Sequence, residues 1–242
     1  MTDSHSTAVP GLFAAAKCVV FDFDGPVCDL FAGHAASDVA RDLRHWIARN
    51  IPSGVSQPQA VDDPLAWLRA AAVEYPGSEL VTSMERHLTS LEVTATLSAA
   101  QTAGVDELIR RLGAASFRLA IATNNSARAA QGYLVRTGLA DFFGDHIHGR
   151  ATDPLRMKPD PHCVSRALES TGSTPAESLM IGDSASDCEA AAELGVPFLG
   201  YARNKRKRCE LIAAGASDAG IVSSIVELLP LVDGLGAGFP VE

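Results

Sequence analysis

Three short apolar runs, each ending in polar or acidic residues, constrain this chain more than any other feature. Cys18-Val19-Val20-Phe21-Asp22-Phe23 is β-branched and aromatic; 117–123 (FRLAIAT) runs into Asn124 and Asn125; Leu179-Met180-Ile181-Gly182-Asp183 repeats the design. Such runs read as strands buried on both faces. Ile147 with its neighbours, and 196–199, are shorter strand candidates. An amphipathic stretch at 104–114 precedes the second run, and helical patterns lie at about 126–137, 161–171, 185–194, 205–214 and 221–231. Strands alternating with helices predict an α/β fold whose parallel sheet is covered on both faces. Ligands of such sheets bind beyond the carboxyl ends of the strands. Three of those ends carry Asp22 with Asp24, Thr123 with Asn124, and Asp183, so distant residues are expected to meet in one crevice.

The interval from about 28 to 100 is different. It is rich in Ala, Leu, Arg and Glu, has helical periodicity around 34–49, 64–73 and 78–91, and offers no clear strand. It reads as an inserted helical module, with a long loop at 51–64 carrying Pro52, Pro58, Pro64 and Gly54. Residues 1–16 are small and polar enough to be a loose tail. They lack the basic start of a signal peptide. A chain of 242 residues with 47% hydrophobic content can bury one core and carry such a module.

Charge and cysteine usage exclude several classes. Twenty basic against 29 acidic residues give a net charge of -9, which disfavours nucleic acid and anionic membrane surfaces as partners. No apolar run approaches the roughly 20 residues that cross a bilayer. Cys18, Cys28, Cys163, Cys188 and Cys209 form no CxxC pair, so neither a zinc site nor a disulfide framework is expected. Free thiols point to a reducing, cytoplasmic location.

The acids at the strand ends carry the chemistry. FDFDGPV at 21–27 sets two carboxylates two residues apart before a glycine that lets the chain turn tightly. Asp22 can then attack a phosphorus while Asp24 protonates the leaving oxygen and later activates water. Bringing carboxylates to an anionic phosphate requires a cation, and Mg²⁺ suits a few carboxylate oxygens, a substrate phosphate and waters. IGDSASD at 181–187 adds Asp183 directly after the strand and Asp187 one helical turn on, completing a metal site. Thr123 and Asn124 offer neutral donors, and Lys158 in MKPDP offers a cation for Asp22 and the phosphoryl oxygens.

DxDG at 22–25, Thr123, Lys158 before a helix, and GDxxxD at 182–187 stand in the order and spacing of the haloacid dehalogenase-like superfamily, which the chain resembles over roughly 18–200. Within it the chain is similar to the phosphoglycolate phosphatase and β-phosphoglucomutase-like subgroup with a helical cap. The resemblance implies a Rossmann-like core at 17–27 and 101–242 and a cap at 28–100. It implies Asp22 as nucleophile and metal ligand, Asp24 as acid/base lending a backbone carbonyl to the metal, Asp183 as metal ligand, and Asp187 supporting the metal site or Lys158. It also implies a role near Asp24 for His34, twelve residues after Asp22, against which stands a plain helix-surface histidine. Pro26 departs from the Thr or Val common at that position and stiffens the loop joining core to cap.

The expected function is a Mg²⁺-dependent phosphatase acting on a small phosphorylated metabolite. A sugar-phosphate mutase and a non-catalytic metabolite-binding protein are the alternatives. Asp24 argues against haloacid dehalogenation, and the lack of any lysine in 25–110 argues against a Schiff-base phosphonate cleavage. Arg41, Arg44 and Arg49 are read as mostly solvated, with one of them available to grip substrate. The run Lys205-Arg206-Lys207-Arg208 is read as a solvated helix start.

Overall fold

The computed structural model describes residues 8–51 and 55–233. Among them, six strands form one parallel sheet: β1 (Cys18–Phe21), β4 (Arg118–Ala122), β5 (Ile147–His148), β6 (Ser178–Gly182), β7 (Phe198–Tyr201) and β8 (Ile221–Val222), in the order β5-β4-β1-β6-β7-β8. β1 lies between β4 and β6, with Phe21 opposite both Ile121 and Ile181. This register brings the residues that follow all three strands to the same edge. The Asp22 amide still donates to Ile181 O at 2.9 Å, and the Thr123 amide to His148 O at 2.9 Å.

Every residue of β1 is buried, and the two faces feed different clusters. Val19 and Phe21 face a core shared with α5 (Val105–Ala114), α6 (Ala127–Thr137), α7 (Ala140–Phe143) and α11 (Leu229–Asp233); Cys18 and Val20 face one shared with α8 (His162–Thr171) and α9 (Ala185–Glu193). That alternation follows from the two-residue side-chain period of a strand. In α5 the buried residues are Val105, Leu108, Ile109 and Leu112, a one-face helical stripe. α10 (Lys205–Ala213) follows β7.

Between β1 and β4 the chain forms α2 (Ala36–Asn50), α3 (Pro64–Glu74) and α4 (Glu79–Thr96). These close on their own apolar cluster, centred on Leu43, Ile47, Trp67, Leu68, Met84 and Leu88. Ser78 and Asp63 accept from Val81 N and Leu65 N and so cap α4 and α3. The described part of the loop between α2 and α3, 55–63, has no helix or strand; 52–54 lie outside the described residues.

Four sequence readings are corrected. Residues 9–15 are not a loose tail: α1 (Val9–Ala15) seats Phe13, 1% exposed, in the main core, while 1–7 lie outside the described residues. The 28–100 interval does contain strand at its margins, since β2 (Cys28–Asp29) pairs antiparallel with β3 (Ala100–Gln101). The helix expected at 221–231 is instead β8, a 3-10 turn at Ile225–Leu228 and the short α11. β1 ends at Phe21 rather than Phe23, because the chain turns at Gly25.

Candidate active site

Beyond the carboxyl ends of β1, β4 and β6 lies a cavity of about 360 Å³ lined by Asp22, Asp24, Thr123, Asn124, Lys158, Asp183 and Asp187. Seven of the eight residues singled out from the sequence therefore share one site. His34 does not line it. It lies in a bend ahead of α2, not on a helix surface, with Nε2 buried and unpartnered among the described residues. Arg41 pairs with Asp38 at 2.7 Å on the surface of α2, and Arg49 bonds its own helix at His45 O.

Lys158 organises the centre. Its Nζ donates to Asp22 Oδ1 at 2.9 Å, to Ala122 O at 2.8 Å and to Asp187 Oδ1. Burial works against its ammonium, but Asp187 and Asp22 outweigh burial and push its pKa above the ordinary lysine value. Asn124 fixes the lysine's backbone from both sides: Nδ2 donates to Lys158 O at 3.0 Å, and Oδ1 accepts from Lys158 N at 2.7 Å. Asn124, read from the sequence as a donor to substrate, lines the cavity and gives one of its two amide N–H groups to Lys158. Thr123, 1% exposed, donates from Oγ1 to Asn125 Oδ1 at 3.2 Å.

Asp22 is 7% exposed, and burial, reinforced by Asp187 and opposed by Lys158, raises its carboxyl to about 7. Burial likewise raises Asp24 to about 7, against the Leu30 amide that donates to its Oδ1 at 2.9 Å. The turn carrying Asp24 is closed by Gly25 N to Cys28 O at 2.6 Å and by Val27 N and Cys28 N to Phe23 O. Those donors flank position 26, so Pro26 fits without costing the turn a bond. Thr102, just after β3, donates to Gly25 O at 2.6 Å and ties the strand pair to this turn.

Carboxylate oxygens of Asp22, Asp183 and Asp187 lie within 4.8 Å of one another. Three buried, hard oxygen donors fit a small divalent cation such as Mg²⁺. Asp187 is the most committed of the three. Its Oδ2 accepts from Ser184 Oγ at 2.7 Å, Ser184 N at 3.0 Å and Asp183 N at 3.2 Å, and the Ser184 N bond together with Asp187 N donating to Ser184 Oγ at 3.3 Å makes the capping box of α9. The Asp24 carboxylate is not in the group of three; the resemblance had assigned its backbone carbonyl, not its side chain, to the metal.

Three cationic residues escaped the sequence reading. Lys207, from the run expected to be solvated, is 2.8 Å from Asp183 Oδ2. It opposes the rise that burial imposes on Asp183. Arg203, which meets Asp29 Oδ2 at 3.3 Å, and Arg69 of α3, which donates to Lys158 O at 2.9 Å, also line the cavity. Arg203 and Lys207 follow β7, another strand whose carboxyl end faces the crevice, and that position was the available signal.

The haloacid dehalogenase-like hydrolase family model matches residues 16–195, which include every acid described above. The chain belongs to this family. Among relatives of the hydrolase, a phosphoglycolate phosphatase of Rhodobacter capsulatus is 30% identical over 198 residues, covering 79% of this chain and 87% of the relative. A probable phosphoglycolate phosphatase of Pseudomonas putida is 29% identical over 201 residues, covering 80% and 69%. Solved structures share the fold: a predicted phosphatase from Clostridium acetobutylicum has a TM-score of 0.65 at 22% identity, covering 90% of this chain and 99% of that one. A hydrolase of the same family from Deinococcus radiodurans, with bound phosphate and sodium, has a TM-score of 0.60 at 21% identity, covering 94% and 100%. No helix among the hydrolase's described residues is long and apolar enough to cross a membrane, and its five cysteines are free.

Proposed function

We propose that this hydrolase is a Mg²⁺-dependent, cytoplasmic phosphatase that cleaves a small phosphomonoester through an aspartyl-phosphate on Asp22. The observation that carries the reading is the buried Asp22 carboxylate, bonded to the Lys158 ammonium at 2.9 Å and grouped with Asp183 and Asp187 on the cavity wall. Asp22 and Asp183, with the Asp24 carbonyl, would hold the cation, and Asp187 would fix Lys158 and the turn at 183–184. Bound there, Mg²⁺ supplies positive charge that offsets repulsion between carboxylate and phosphoryl oxygens.

Lys158 holds one Asp22 oxygen, and the other attacks phosphorus in line with the leaving oxygen. Asp24, whose raised pKa keeps a proton available near neutrality, delivers it to the leaving group. Deprotonated Asp24 then takes a proton from the water that opens the aspartyl-phosphate. Lys158, beside Asp22, adds positive charge where the equatorial oxygens develop negative charge, and Thr123 lines the same cavity. Arg69, Arg203 and Lys207 add cationic character to the same cavity and favour a substrate with a second anionic group. Relatives named as phosphoglycolate phosphatases make phosphoglycolate the first compound to try.

The test is phosphate release from an aryl phosphate and from glycolate, sugar and nucleotide monophosphates, with Mg²⁺ or EDTA, beside Asp22→Asn. Turnover lost both in EDTA and in Asp22→Asn is the expected result. Full activity in Asp22→Asn would falsify the nucleophile assignment. Phospho-enzyme retained in the presence of a sugar phosphate would identify a mutase instead, and metabolite binding without release across the panel a non-catalytic binder.

A further inference from the structure

The mechanism above leaves unused a charged cluster at the junction of α4 with the sheet. The Arg150 side chain, in the loop after β5, is 0% exposed, as is that of Glu92 on α4. Arg150 Nη1 and Nη2 meet Glu92 Oε1 and Oε2 at 2.9 and 3.1 Å, a two-pronged pair. Its Nη2 also reaches Glu85 Oε1 at 2.9 Å. A buried ion pair is a poor device for stability alone, since apolar residues of similar volume often serve as well. What such a pair supplies is fixed geometry, and here the geometry is spent on one loop.

That loop is 123–126. Arg150 Nη1 donates to Asn124 O at 3.0 Å. Glu92 accepts from Asn125 Nδ2 at 3.1 Å and from Ser126 N at 2.9 Å. The next contacts lead inward: Asn125 Oδ1 accepts from the Thr123 hydroxyl, and the Asn124 amide clasps the Lys158 backbone. Lys158 Nζ then meets Asp22. From α4 to the nucleophile every step is a hydrogen bond or ion pair between named atoms.

We propose that Glu92 and Arg150 are positioning residues for catalysis: they hold loop 123–126 so that Thr123 and Lys158 are aimed at the phosphoryl site. Neither lines the cavity, so both act through Asn124 and Asn125. Anchoring the loop to α4, a helix of the inserted module, also makes the geometry of the site depend on that module being seated. The kinetic part of this inference rests on the phosphatase reading; the structural part does not.

Arg150→Lys keeps a cation beside Glu85 and Glu92 but lacks the fork needed to reach Asn124 O as well. Glu92→Gln keeps the shape and an acceptor while removing the charge, and it serves if Arg150→Lys does not fold. With an aryl phosphate the expected result is a kcat lower by about 10- to 100-fold, as for a small misplacement of reacting groups, with KM nearly unchanged. Amide hydrogen exchange should accelerate at 123–126 and at 157 and 158 and stay as in the wild type in β1 and β6. A lowered Tm with wild-type kcat and unaltered exchange at 123–126 would overturn the proposal and leave the pair merely structural. Should the wild type release no phosphate, the phosphatase reading fails by itself, and the exchange pattern still decides whether the pair positions the loop.

Discussion

Position 25 is closed to any side chain by two independent constraints. Gly25 has φ +117, and a Cβ there would lie 2.5 Å from Asp183 Cγ. Gly25→Ala therefore adds backbone strain of about 1–3 kcal/mol and pushes Asp183 off its position. The expected outcome is a folded protein needing about tenfold more Mg²⁺ for half-maximal activity, in line with losses seen when groups that orient metal ligands are altered. A Mg²⁺ titration of turnover checks it. Lys158→Met acts at the centre: kcat should fall by about 10²- to 10³-fold, and Tm should fall too, since Asp22 and Asp187 lose their buried counter-charge. The acids and the lysine that the cavity gathers, Asp22, Asp24, Asp183 and Lys158, were legible in the sequence because each follows or precedes a recognisable element at fixed spacing. Arg69 and Lys207 were not, because an arginine on an inserted helix and one lysine in a run of four cations look like solvated surface until the tertiary fold aims them. Asn124 was located as a cavity residue, but nothing local says that its amide also clasps a backbone 34 positions away.

The elements that periodicity reveals are those long enough to repeat it. α5, α6, α8 and α9 fall within a residue or two of their expected bounds; of the two-residue strands, β5 was marked by Ile147, while β2, β3 and β8 were not read. Ser224 and Glu227 do form a capping box, a signal that could have moved the last helical segment past β8. α1 shows the opposite failure. Seven residues containing Pro10 and Gly11 are too short to be helical alone and are ordered by what they bury. The ring of Phe13 enters the main core and is 1% exposed. Phe13→Ala should therefore cost about 3–5 kcal/mol, the usual range for emptying a phenylalanine site. Urea unfolding would show a lower midpoint; an unshifted midpoint would mean that 9–15 do not contribute to the core.

For the whole molecule, stability depends on groups outside the cavity lining as well as within it, and His148 gives the clearest case. It lies at the end of β5, 6% exposed, with Nε2 2.7 Å from Ser170 Oγ and Nδ1 unpartnered among the described residues. Burial, aided by Arg166 and His146, lowers its pKa from 6.5 to about 4. Between those values the unfolded chain binds a proton that the folded chain refuses, so folding becomes less favourable as the pH drops. The neutral ring's contribution is complete above about 6.5 and is lost progressively toward 4. His148→Gln cannot charge and so removes this dependence from the profile. Thermal melts of both proteins from pH 7.5 to 4 should show the wild type losing ground to the variant by an amount on the order of 2 kcal/mol at the acid end. The buried carboxylates titrate in both proteins and cancel in the difference. Parallel profiles across that range would show that His148 takes up its proton in the folded state as readily as in the unfolded one.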